Sequence, residues 1–62
     1  MKYFEFRFEG VSVDGKSALT EFGTCTARTA AKGQRKAVNA IRQSRGKDAR
    51  QMTLKYFAEV GS

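Results

Sequence analysis

Histidine, proline and tryptophan are absent from these 62 residues, and cysteine occurs once, at Cys25. A lone cysteine excludes an intramolecular disulfide framework. Without histidine the usual nitrogen and sulfur ligand sets for zinc cannot be assembled. The same gap removes any nucleophile that depends on a histidine base, and Cys25 sits in a threonine-rich stretch with no base near it in sequence. No enzyme activity, metal or cofactor is therefore expected. A reducing, cytoplasmic setting fits the cysteine usage best. Long hydrophobic runs are also missing. The longest, Tyr56-Phe57-Ala58, is three residues, so neither a secretory signal nor a membrane span is expected.

Acidic residues are scarce in one particular region. Between Arg28 and Lys55 stand Arg28, Lys32, Arg35, Lys36, Arg42, Arg45, Lys47, Arg50 and Lys55 against the single acid Asp48, a balance of +8. The remaining residues sum to −2, which gives the +6 total. The molecule is thus a charge dipole rather than evenly coated. Such a field favours polyanions, among which nucleic acid is the commonest that a small protein meets.

At 62 residues there is room for one domain, residues 1–62. A chain this short buries only about 60% of the surface its unfolded form exposes, so a second copy would add stability that a monomer lacks. Residues 2–9 alternate strictly, with Phe4, Phe6 and Phe8 on one side and Tyr3, Glu5, Arg7 and Glu9 on the other, which predicts a strand. Beyond Gly10, Val11 and Val13 take up the polar side's parity, so the faces are either reset by a bulge or reversed at the hairpin's far end. Asp14-Gly15-Lys16 predicts a hairpin turn. A three-residue loop centred on Gly15 sets Phe8 opposite Phe22, Phe6 opposite Thr24 and Phe4 opposite Thr26, in a second strand from about 17 to 27.

From Thr29 the pattern becomes helical for roughly seventeen residues, with Thr29 or Thr26 as the capping hydroxyl and Gly46 as the stop. Its apolar stripe is Ala30, Ala37, Val38 and Ile41, with Ala40 at the edge. A basic loop, 47–50, leads to a third strand over 51–60. There Met52, Leu54, Tyr56 and Ala58 are expected inward, with Thr53, Lys55, Phe57 and Glu59 outward. A helical crossover brings the third strand beside the first. The expected fold is α+β, β-β-α-β, a three-stranded antiparallel sheet in order 2-1-3 with one helix packed on one face. The other sheet face is left open.

Two constellations bear on function. On the helix, Arg28, Lys32, Arg35, Lys36, Asn39 and Arg42 recur at spacings of three and four, on the side opposite Ala37 and Ile41. A solvated helix face is the plain reading. Such faces, however, normally interleave acids four residues from their cations, and residues 28–47 contain none. The uncompensated repulsion points to an anionic partner, with Arg45, Lys47, Arg50 and Lys55 extending the surface. Lys32-Gly33-Gln34-Arg35-Lys36 lacks the spacing of a phosphate-binding loop.

The aromatic residues divide by face. Phe4, Phe6, Phe8 and Phe22 are expected in the core, while Tyr3 and Phe57 emerge on the open face. With Val11, Val13 and Leu19 they form a candidate self-association surface for a homodimer, or alternatively a stacking platform for single-stranded nucleic acid. Glu5, Glu9 and Glu21 on that face weigh against stacking. They are read as a solvated strand face rather than a carboxylate pair.

The expected function is binding of nucleic acid, DNA or RNA, through phosphate contacts from the helix and the loop after it. The competing expectation is a small regulatory or inhibitory protein, of the kind mobile elements and phages encode, whose basic face docks on an acidic protein surface.

Overall fold

The computed structural model describes residues 1–61. Strands β1 (Lys2–Val11) and β2 (Ala18–Ala27) are followed by helix α1 (Ala30–Arg45), a 3-10 helix over Gly46–Gln51 and strand β3 (Met52–Glu59). The strands form one antiparallel sheet in the order β2-β1-β3. The α+β architecture expected from the sequence is the one observed. Phe6 and Phe8 on central β1 are buried in one core with Ala37 and Ile41 of α1 and with Met52, and Phe4 is buried nearer the start of the helix, close to Gly33.

The hairpin register differs from expectation by one residue. Phe4 pairs with Cys25, Phe6 with Gly23 and Phe8 with Glu21, across a loop of residues 12–17 rather than three residues. The reason lies at Gly23. A β-carbon there would stand 2.5 Å from the Phe6 ring, so the buried ring occupies the space that only glycine leaves open. A one-residue slip moves every side chain of a strand to the opposite face. Phe22, expected in the core, is therefore exposed on the open face opposite Arg7. Leu19 and Glu21 move the other way, to the helix side. No bulge occurs at Gly10: Val11 keeps the outer parity and is exposed.

The loop is held by local polar contacts. The Ser12 hydroxyl and the Lys16 N–H both donate to Asp14 Oδ1, and together they hold the Asp14 carboxyl below the ordinary range. Val13 N–H donates to Asp48 Oδ1 at 2.8 Å, which ties the loop to the 3-10 helix. The only acid in the basic segment thus has a structural partner, and the segment expected as a loop at 47–50 is helical.

A second departure lies in β3. Pairing with β1 shifts between Arg7 and Phe8, leaving Lys55 as an extra residue between Leu54, opposite Phe8, and Tyr56, opposite Arg7. This bulge reverses the faces over the rest of the strand. Phe57 turns toward the helix, where its ring stacks on Phe4 with centroids 4.9 Å apart, and Tyr56 and Ala58 turn outward. The helix accommodates the stacked rings through buried Gly33, where a β-carbon would lie 2.9 Å from Phe57 and 3.0 Å from Phe4.

Helix α1 starts as expected, with Thr29 Oγ1 accepting from Lys32 N–H, and ends at Gly46 with φ 59°. Ala37 and Ile41 are buried and Val38 half-buried, as the stripe predicts, but Ala30 and Ala40 are exposed. The helix lies over β2 and β1 and leaves the helix-side flank of β3 less covered.

Candidate nucleic-acid interface

The helix geometry sorts the basic residues by what they touch. Lys32, Arg35, Asn39 and Arg42 are exposed on the side away from Gly33, Ala37 and Ile41, as the spacing predicts, whereas Arg28, expected in the same row, is exposed ahead of the Thr29 cap and lies outside the helix. From Lys32 to Arg42 the row extends about 15 Å along the axis, at about 1.5 Å per residue. Lys47 and Arg50 continue it on the 3-10 helix. Among the described residues, none of these cations has an ion-pair partner.

Two expected members of the cluster are engaged elsewhere. Arg45 donates from Nε to Glu21 Oε1 at 2.7 Å and its Nη2 lies 2.7 Å from the same oxygen, while Ser44 Oγ donates to Glu21 Oε2 at 3.1 Å. Arg45 also reaches the Thr20 carbonyl at 3.5 Å, and Lys36 Nζ donates to the Thr26 carbonyl at 2.6 Å. Backbone groups of alternate strand residues point the same way, so these two helix cations cover both ends of the outer edge of β2. Lys55 leaves the cluster as well. As the bulge residue it shares a surface depression with Glu9, Val11 and Thr53.

Because α1 sits toward β2, a groove runs beside it. Its floor is Phe8, Val38, Ile41, Met52 and Leu54, and Arg42, Lys47 and Arg50 stand among its walls. Val13, expected on the self-association face, lines this groove instead. No local sequence pattern marks the groove, since it depends on where the helix settles across the sheet.

On the opposite face, the expected self-association residues separate. Tyr3 and Val11 are exposed there, whereas Leu19 and Phe57 pack against the core on the helix side. In their place one cross-strand row carries Phe22, Arg7 and Tyr56 on β2, β1 and β3. Arg7 Nε lies 2.8 Å from Glu9 Oε2 without hydrogen-bond geometry. Glu21, expected on this face, is the helix-side partner of Arg45.

Among the described residues there is no group of three or more acids and cysteines that could hold a metal ion, and no helix long and apolar enough to cross a membrane. Cys25 is half-buried, with its Sγ donating to the Gly33 carbonyl at 3.4 Å. In comparisons with protein-family models, curated proteins and solved structures, nothing matches this chain.

Proposed function

We propose that the chain is a small nucleic-acid-binding protein that contacts the phosphate backbone through Lys32, Arg35, Asn39 and Arg42 of the helical face, with Arg28 ahead of it and Lys47 and Arg50 beyond it. The observation that carries this reading is the contrast within one basic segment: Lys36 and Arg45 have partners in the fold, while the outer row has none among the described residues. Like charges at spacings of three and four cost an isolated helix a few tenths of a kcal/mol per pair. A phosphate backbone would relieve that repulsion and release its own counterions.

Position, rather than net charge, is the critical variable. Arg35→Ala with Arg42→Ala and Lys2→Ala with Lys55→Ala each remove two positive charges, but only the first pair lies on the helical row. The first double variant should weaken binding to a short duplex or single strand roughly tenfold or more at moderate salt, and the second by a few-fold at most. Equal losses in a gel-shift titration would reduce the interaction to unspecific attraction by net charge.

The apolar floor of the groove beside α1 favours one second reading, docking on an acidic protein surface. An acidic amphipathic segment would set apolar side chains against Phe8, Val38 and Leu54 and carboxylates against Arg42, Lys47 and Arg50. Val38→Asp would impair that docking while leaving phosphate contacts by the outer row largely intact.

A further inference from the structure

The open sheet face concentrates apolar surface that nothing among the described residues covers. Phe22 is 71% exposed, Tyr56 46% and Tyr3 47%, all on one side of the sheet. Single exposed apolar residues are ordinary, but two exposed aromatic rings flanking Arg7 in one cross-strand row, with a third on the same face, are not. The charges around it differ from those of the helix side. Glu5 and Glu9 stand against Arg7 and Lys55, so this face is neutral in a molecule of net charge +6. It offers a polyanion no net attraction and a second copy of itself no net repulsion.

The pairing pattern across the strands supplies complementarity. The row Phe22–Arg7–Tyr56 lies next to the row Thr24–Glu5–Ala58. A two-fold axis parallel to the sheet and midway between two facing copies, perpendicular to the strands and over the line between these rows, sets each row of one copy against the other row of the facing copy. Arg7 of one copy then meets Glu5 of the other, Phe22 meets Thr24 and Tyr56 meets Ala58, twice over. Cations face anions and large side chains face small ones.

We propose that this face is the contact of a two-fold homodimer in which a second copy of the chain packs sheet against sheet through reciprocal Arg7–Glu5 pairs. Facing sheets keep their strand directions within about 30°, so the match holds best on central β1, where both charged residues lie. The two basic helices stay outermost, separated by three interlayer spacings of about 10 Å each. That distance exceeds the Debye length of about 8 Å at physiological salt, so their mutual repulsion is largely screened. Nothing in the dimer depends on nucleic acid being the partner of the helices.

Sedimentation equilibrium of the protein alone tests this. Wild type at tens of micromolar should give twice the 6.9 kDa chain mass. Arg7→Glu should raise the dimer dissociation constant about tenfold or more by setting acid against acid. Adding Glu5→Arg to that variant should restore association, because each new arginine then meets a new glutamate. Phe22→Lys, at an exposed position outside the core, should give a folded monomer by circular dichroism. A wild-type monomer at hundreds of micromolar would overturn the proposal, and so would failure of the charge swap to restore the dimer in a folded protein. A monomer whose Tyr56 fluorescence is quenched by single-stranded oligonucleotide would assign the face to base stacking instead.

Discussion

Gly23 shows how one residue without a side chain sets the placement of a whole strand. Its missing β-carbon admits the Phe6 ring, and with that fit the register, the exposure of Phe22 and the inward turn of Glu21 are fixed together. Gly23→Val should therefore destabilise the fold by about 1–3 kcal/mol in chemical denaturation, as overpacking of a filled core does. Strand propensity alone predicts the opposite sign, with a gain of up to about 1 kcal/mol for valine over glycine. A variant more stable than wild type would show that Phe6 does not occupy that space.

Helix α1 performs two tasks with one set of cations. Its flanks supply Lys36 and Arg45 to the outer edge of β2, and its outer side carries the row with no ion-pair partner among the described residues. The Arg45–Glu21 pair is about 30% exposed and hydrogen-bonded on both carboxylate oxygens. A double-mutant cycle of Arg45→Ala and Glu21→Ala should show a coupling of about 0.5–1 kcal/mol in stability. Arg45→Ala should also change nucleic-acid affinity less than Arg35→Ala does. At this scale much was legible in the sequence. The phenylalanine alternation marked β1, Thr29 and Gly46 bounded the helix, and spacings of three and four placed Lys32, Arg35 and Arg42 together, while Arg28 lies outside the helix that the same spacing assumed. Strand three was not legible past Leu54, because Tyr56 and Phe57 fit either face equally well by hydrophobicity. The unpaired Lys55 decides between them, and a bulge leaves no mark of its own in composition. Gly33 was the missed clue, since a glycine in mid-helix signals close approach by something bulky.

At the scale of the whole molecule, strand order 2-1-3 followed from one helical crossover, and it separates two surfaces with different electrostatics. One side carries the helical cations that have no ion-pair partner among the described residues, the other a neutral sheet with Phe22 and Tyr56 exposed on either side of Arg7. Position of the helix across the sheet was not encoded in any local pattern, so the groove beside α1 emerged only from packing. The central claim is that the helical row meets phosphates, and the salt dependence of binding measures this most directly. With about four to six phosphates engaged, log K against log salt should fall with a slope of roughly −3 to −5, and Arg35→Ala with Arg42→Ala should flatten it by about two contacts. Affinity that stays constant between about 50 and 300 mM salt, or a slope that the double variant leaves unchanged, would contradict the assignment.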